Sequence, residues 1–342
     1  MQALVLAGGE GTRLRPLTLT LPKPVIPLAG RPFLSFMLDW LRRHGVDEVL
    51  LSCGYRSHDV ERVLGDIHGG MRLRYVVEDE PLGTAGPLRL AADAGVLDER
   101  VLVLNGDCLT DIDLTAELAQ HEATGALATL ALVAVEDTSS YGVVPTLEDG
   151  QVEAFLEKQP GPAPTNRINA GAYVLERKVV ERVPPGRAVS IEREVFPELV
   201  GNGLYGYLSD GYWIDIGTPE RYLEATYDLL AGRVESELPP RDETASLIYE
   251  PCITSGARIG PLSVLGRHCS VGDGSVVERA VLHDSVRVGR DCEVVESVLA
   301  RDVRVDDGAR IGPDAVIGDG AVVGAGAVVA PGARVAPGEE VR

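Results

Sequence analysis

Basic residues are scarce in this sequence: 32 Lys and Arg stand against 52 Asp and Glu, for a formal net charge of −20. A surface of that sign argues against a nucleic-acid-binding face and against docking on anionic lipid. It leaves a nucleotide substrate open, because a triphosphate needs only local cations and a divalent ion. The five cysteines (Cys53, Cys108, Cys252, Cys269, Cys292) form no Cys-x-x-Cys pair, so no zinc or redox motif is expected. They read as small core residues of a reduced, cytoplasmic protein. No stretch is long and apolar enough to span a membrane. The opening MQALVLAGG lacks a basic n-region, and no signal peptide is expected. His44, His58, His68, His121, His268 and His283 show neither His-x-x-x-His nor His-Glu-x-x-His spacing, and none is assigned to catalysis.

What is present falls into two textures. At 342 residues the chain is long enough for two cores. Over residues 1–231, short apolar runs alternate with helical periods. The runs are Ala3–Ala7, Val49–Cys53, Leu73–Val77, Val101–Leu104 and Ala126–Val135. Between the first two, Phe33, Phe36, Met37, Trp40 and Leu41 recur at helical spacing, with Pro32 suited to the start and Gly45 to the end. Strand–helix alternation predicts an α/β domain with a mostly parallel sheet, whose ligands bind at the carboxyl ends of the strands. Residues 232–251 are polar, contain Pro239-Pro240 and read as a connection. Residues 252–342 carry a six-residue beat of aliphatic positions from Ile253 to Val335, with one-residue slips before Leu282 and Leu299. That is the hexapeptide pattern of a left-handed parallel β-helix of about five turns, three hexads to a turn.

The chemistry gathers in a few strings. LVLAGGEGTRLRPLTLTLPKPVIPLAGRP runs from a strand through Gly8, Gly9 and Gly11, then places Arg13 and Lys23 beyond the turn. Such a loop brings backbone N–H groups to phosphate oxygens, and the two cations offset further charge. It is neither a Walker A loop nor a GxGxxG fingerprint. Asp107 in VLVLNGD and Asp215 in YWIDIGTP each end an apolar strand. A hard divalent cation takes such carboxylates together with water and phosphate oxygens. In EDEPLGTAGPL, the run Gly83-Thr84-Ala85-Gly86 before a helix allows a base or ribose to approach closely. The alternative is a plain helix start with Thr84 as its cap. The Glu78 carboxylate can accept parallel bonds from guanine N1–H and N2–H₂, which thymine and uracil cannot offer.

The string GGxGTRLxPLT followed by PKP resembles the signature of the sugar-1-phosphate nucleotidyltransferases, and the likeness covers nearly all of the first domain. It implies a Rossmann-like catalytic domain over residues 1–231 that joins an NTP to a sugar 1-phosphate, releasing pyrophosphate. Arg13 and Lys23 would stabilise charge at the α-phosphorus, and Asp107 and Asp215 would hold Mg²⁺. Leu6, Gly8, Gly9, Gly11, Thr12, Glu78, Gly83 and Thr84 would bind the nucleotide. Gly142, Glu157, Lys158, Asn169 and Gly171, in YGVV, FLEKQP and INAGAY, would form the sugar-phosphate pocket.

PLGTAGPL, INAGAYVL, SIEREVFPELV and GYWIDIGTPERY are most similar to the mannose-1-phosphate guanylyltransferase branch, which implies GTP and GDP-mannose. Thymidylyl or uridylyl transfer to glucose 1-phosphate is the nearest alternative, followed by guanylyl transfer to another sugar or pseudo-sugar phosphate. A β-helix acyltransferase would need a positioned base and an acyl-CoA groove. A silent regulatory homologue would need a broken catalytic set, whereas Arg13, Lys23, Asp107 and Asp215 are all present. The β-helix is expected to pair copies of the chain into a homo-oligomer.

Overall fold

The computed structural model describes residues 1–342 except 55, 79, 159–161, 240–243 and 255. Pro240 and residues 241–243 of the expected connection therefore lie outside the described residues, as do Gln159 and Pro160 of FLEKQP. The chain divides into two compact units, Met1–Gly9 with Met37–Trp213 and Glu10–Phe36 with Ile214–Arg342.

Strands and helices alternate through the first part of the chain: β1 (Gln2–Leu6), α1 (Phe33–Arg43), β2 (Glu48–Cys53), α2 (Ser57–Leu64), β3 (Met71–Val77), α3 (Gly86–Asp93), β4 (Arg100–Asn105), α4 (Leu114–Thr124) and β5 (Ala128–Ala134). β6 (Arg167–Glu176) and β7 (Leu204–Leu208) complete the larger strands of the first unit. β1 lies between β2 and β4, parallel to both, and β3 adds in parallel to β2. Ala3, Leu4 and Val5 are fully buried, as expected of a continuous apolar run in a sheet covered on both faces. β6 runs antiparallel to β4 and to β5, and β7 pairs in parallel with β5. The sheet is thus parallel at its centre and mixed toward one side. Four parallel strands end on one edge, at Leu6, Cys53, Val77 and Asn105, and this edge carries the loops flagged in the sequence.

Helix ends follow local chemistry. α1 buries Phe33, Phe36, Met37, Trp40 and Leu41 and ends on Arg42 and Arg43, whose charge suits the negative end of the helix dipole. Asp113 caps α4, its side chain accepting from Thr115 N and Ala116 N at 3.0 Å each.

The second unit contains α5 (Pro219–Leu230) and a three-faced parallel β-helix. One face stacks Val264–Leu265, Val281–Leu282, Val298–Leu299, Val316–Ile317 and Arg334–Val335. Leu265, Leu282, Leu299 and Ile317 point inward and are fully buried. Side-chain-to-backbone bonds between equivalent corners span 17 residues at Arg267–Asp284 and Arg290–Asp307, and 18 at Arg301–Asp319. The two slips in the beat are therefore single-residue shortenings of the early turns.

The start of this domain differs from the sequence expectation in two ways. Leu247–Ile248, inside the segment read as a connection, is already a strand, with Ile248 opposite Leu265. Ile253, expected to point inward, is 67% exposed. The neighbouring turn sets the register: Ile253 lies opposite Ser270, while Val271 fills the interior.

Ile317→Ala should lower the stability of the β-helix by about 2–5 kcal/mol. Val328→Ala, at a position 70% exposed, should change it by less than about 0.5 kcal/mol. Urea unfolding followed by circular dichroism separates the two, and equal losses would contradict the inward stacking.

Candidate active site

The first unit organises its loops around the end of β1. Ala7 N donates to Ser52 O and Gly106 N donates to Leu6 O, both at 2.9 Å. A β-carbon on Gly106 would lie 2.8 Å from Leu6 O, so only glycine lets the Asn105–Asp107 turn pass this close to β1. Asp107 follows, half-buried, with the Cys108 thiol 3.7 Å from its Oδ1. Gly8 and Gly9 are exposed, and Gly9 adopts a φ of 112° with open space on its β-carbon side. The backbone of this turn is therefore accessible to an anion.

Glu78 faces Gly8, its Oε1 3.8 Å from where a Gly8 β-carbon would stand. That oxygen accepts from Ser52 Oγ at 2.5 Å, and Oε2 accepts from Leu82 N at 2.9 Å. The carboxylate thus braces its own loop, with second lone pairs left on both oxygens. Burial, and then the Glu78 charge, push the Cys53 thiol up to about 12, so Cys53 stays protonated and is no nucleophile.

Gly83 and Thr84 also have structural partners. A β-carbon on Gly83 would meet Val189 O at 2.5 Å. Thr84 Oγ1 donates to Glu192 Oε2 at 2.7 Å and accepts from Ile191 N at 2.8 Å. α3 begins with Ala85 as its N-cap and without a side-chain cap. Thr84 therefore does not cap α3; it clamps the loop to residues 190–192, at the start of the helical segment Ile191–Val195.

Gly142, Glu157, Asn169 and Gly171 gather on neighbouring strands. Gly142 pairs with Glu157, and Val143 with Ile168. A β-carbon on Gly142 would lie 2.7 Å from Glu157 Oε2, so glycine makes room for that carboxylate. Lys158 Nζ is 3.6 Å from Glu157 Oε1, and its side chain is largely exposed. Asn169 Oδ1 accepts from Gly171 N at 3.0 Å, and its Nδ2 donates to Tyr173 Oη at 2.9 Å. These bonds brace the irregularity between Asn169 and Tyr173 in the pairing of β6 with β5. Gly171 has a φ of 74° and packs against Asn105, the residue that opens the Asp107 turn. Two aromatics missed at the sequence level stand here. Trp213 Nε1 donates to Ala170 O at 2.8 Å, and the Tyr141 ring meets Trp213 edge-on at 5.3 Å. Their signal was adjacency, since Tyr141 precedes Gly142 and Trp213 lies two residues before Asp215.

The second unit holds the remaining candidates. Gly11 sits against Thr18 and Lys23: Thr18 Oγ1 donates to Gly11 O at 2.8 Å, and a β-carbon on Gly11 would lie 3.3 Å from Lys23 Cβ. Thr12 and Arg13 are exposed on a single helical turn, Thr12–Leu14. The Arg13 guanidinium lies over Gly217, where a β-carbon would come within 2.8 Å of Nη2. Arg13 is thereby placed beside the Asp215–Gly217 segment. Asp215 ends the strand Trp213–Asp215, and its Oδ1 is shielded from solvent.

Among the described residues, no group of three or more His, Cys, Asp or Glu that could hold a metal is formed. Taken singly, Asp107 and Asp215 each offer the hard carboxylate oxygens that a divalent ion takes. Mg²⁺ keeps several waters and binds through one or two carboxylates plus substrate phosphates.

The nucleotidyl transferase family profile matches residues 2–232, and a GlmU-like C-terminal hexapeptide profile matches residues 239–320. The chain belongs to the nucleotidyl transferase family, with a left-handed β-helix of hexapeptide repeats appended. It is 42% identical over 300 residues to a mannose-1-phosphate guanylyltransferase of Mycobacterium tuberculosis, covering 86% of this chain and 83% of the relative. A probable mannose-1-phosphate guanylyltransferase 2 of Arabidopsis thaliana is 37% identical, over 91% of this chain and 89% of its own. Among solved structures, HddC from Yersinia pseudotuberculosis complexed with GMP-PN is similar with a TM-score of 0.57 and 30% identity. That likeness covers 66% of this chain and 97% of the other. The chain is a nucleotidyltransferase enzyme whose substrates are an NTP and a sugar phosphate. No helix among the described residues is long and apolar enough to cross a membrane.

Thr84→Val keeps the shape of the side chain but leaves Ile191 N without its acceptor and Glu192 Oε2 with Ser190 Oγ alone. It should cost about 1–3 kcal/mol of stability, read as a fall in melting temperature. An unchanged melting temperature would remove the clamp from the account of this loop.

Proposed function

We propose that the chain is a mannose-1-phosphate guanylyltransferase that converts GTP and mannose 1-phosphate into GDP-mannose and pyrophosphate. The observation that carries this reading is the exposed glycine turn at the carboxyl end of β1, with the Asp107 turn packed against that strand. The names of the relatives supply the base and the sugar.

In this reading the turn from Leu6 through Gly8, Gly9, Gly11 and Thr12 receives the triphosphate on its backbone N–H groups. Arg13 and Lys23 neutralise charge that builds on the α-phosphoryl oxygens and the leaving pyrophosphate. Asp107 and Asp215 would hold Mg²⁺, and that ion, when bound, screens the triphosphate and polarises the α-phosphorus. Gly83 and Thr84 shape the loop beside the base, and the free lone pairs of Glu78 accept guanine N1–H and N2–H₂. Glu157 accepts sugar hydroxyls, Lys158 holds the sugar phosphate, and Gly142, Asn169 and Gly171 keep that pocket open. A phosphate oxygen of the sugar then attacks the α-phosphorus in line. A phosphate monoester is already anionic near neutral pH, so the step needs no histidine base. The protein's contribution is positioning and charge stabilisation. We place the catalytic domain at residues 1–231, the connection at 232–246 and the β-helix domain from the Leu247–Ile248 strand onward, earlier than the boundary of 252 expected from the sequence.

Pyrophosphate release across a matrix of NTPs and sugar 1-phosphates tests the assignment. GTP with mannose 1-phosphate should exceed every other pair, and a preference for dTTP or UTP with glucose 1-phosphate would overturn it. Repeating the matrix with Glu78→Gln should weaken use of GTP more than of dTTP or UTP; equal losses would take the base away from Glu78.

Asp107→Asn and Asp215→Asn should each abolish Mg²⁺-dependent turnover. Near wild-type rates in both would sink the metal assignment.

A further inference from the structure

The segment that carries both cations is anchored by residues far along the chain. After Lys23 it folds into a small hairpin, Pro27–Leu28 paired with Arg31–Pro32, whose tip is Ala29 and Gly30, both at positive φ. Two tyrosine hydroxyls grip this hairpin. Tyr222 of α5, fully buried, donates to Pro27 O. Tyr249, just after the first β-helix strand, donates to Ala29 O at 2.8 Å. Its ring lies on Gly30, where a β-carbon would fall 2.1 Å from Cε2.

The residues leading into the same helix lie against the other cation. Gly217, two residues before Pro219 opens α5, is the residue over which the Arg13 guanidinium lies. α5 is in turn fastened to the β-helix along its length. Glu220 pairs with Arg334 at 2.7 Å. The Arg279 guanidinium stands 4.2 Å above the Tyr227 ring, and Tyr227 Oη donates to Arg279 O. His283 Nε2 lies 3.1 Å from Tyr222 Oη. The one proton of the Tyr222 hydroxyl goes to Pro27 O, so its oxygen must accept from His283. Burial pushes His283 down to about 4. Near neutral pH it is therefore uncharged and bound as the Nε2–H tautomer.

The geometry points to Tyr222, Tyr249 and His283 as positioning residues for the reaction: through them the β-helix fixes where Arg13 and Lys23 stand. The inference rests on the reading of those two cations as the groups that meet the triphosphate. The β-helix is the frame on which the cationic segment of the catalytic domain is mounted, and small displacements of such groups are costly to rate.

The test compares the full-length wild type with Tyr222→Phe, Tyr249→Phe, His283→Leu and His283→Gln. The first three should lower kcat about tenfold while the KM for mannose 1-phosphate stays within about twofold. His283→Gln keeps an N–H donor near the Nε2 position and should restore kcat to within about twofold of wild type. Tyr222→Phe combined with His283→Leu should lose no more than Tyr222→Phe alone, because both act through one hydroxyl. A purely structural role would move the melting temperature and leave kcat untouched at temperatures well below it, which would overturn the proposal.

A second readout does not depend on turnover. Amide hydrogen exchange across residues 17–34 should quicken in the two Tyr→Phe variants while residues 2–6 and 100–105 stay protected. Unchanged exchange in 17–34 overturns the positioning role even if the substrate assignment is wrong. Conversely, faster exchange in a chain with no activity toward any sugar phosphate retains the anchor and discards the substrate assignment.

Discussion

The position of β1 between β2 and β4 is the constraint on which the first unit depends. Its register is fixed on both sides by parallel ladders, Leu4 opposite Leu50 and Val103, and its side chains have no exposed face to slip toward. Because the flanking strands run the same way, their following loops must all emerge on one edge. The Asp107 turn is then forced against Leu6 O, and Gly106 is the only residue type that fits that approach. The Glu78 loop is tied to the same edge through Ser52. One strand's register thus decides which loops become neighbours, and the chemistry follows from the loops.

The second unit is governed by a different rule. In the β-helix each turn takes its register from its neighbouring turns, so inward residues stack as columns such as Leu265, Leu282, Leu299 and Ile317. Corners accommodate the shortening from 18 to 17 residues without breaking a column. α5 packs on this regular body. Tyr222, Tyr227 and Glu220 all lie on that helix and all meet the β-helix.

The sequence was most readable where the pattern is local. The alternation of strands and helices, the glycine turn and the hexad beat from Ile259 onward depend on neighbours a few residues away. It was least readable where partners are distant. Thr84 looks like a cap from its place before a helix, yet its hydroxyl serves Ile191 and Glu192, more than a hundred positions on. Glu78 looks free for a base, and its oxygens already brace Ser52 and Leu82. Ile253 fits the beat, but the register comes from Ser270 on the adjacent turn. Nothing in residues 10–36 announces that they fold with residues 214–342, because the hydroxyls that hold them come from Tyr222 and Tyr249.

The hairpin after Lys23 has a consequence for the birth of the chain. Its anchors at Tyr222 and Tyr249 lie 195 and 220 residues downstream of the carbonyls they bind. On a ribosome adding about 5–20 residues per second, roughly ten seconds or more separate the two ends of these bonds. The glycine turn can meet β2 and β4 early, but the hairpin gains its two tyrosine anchors only once α5 and the first β-helix strand have emerged. A nascent chain stalled before that point holds every strand of the first unit's sheet while the hairpin after Lys23 still lacks both of these anchors.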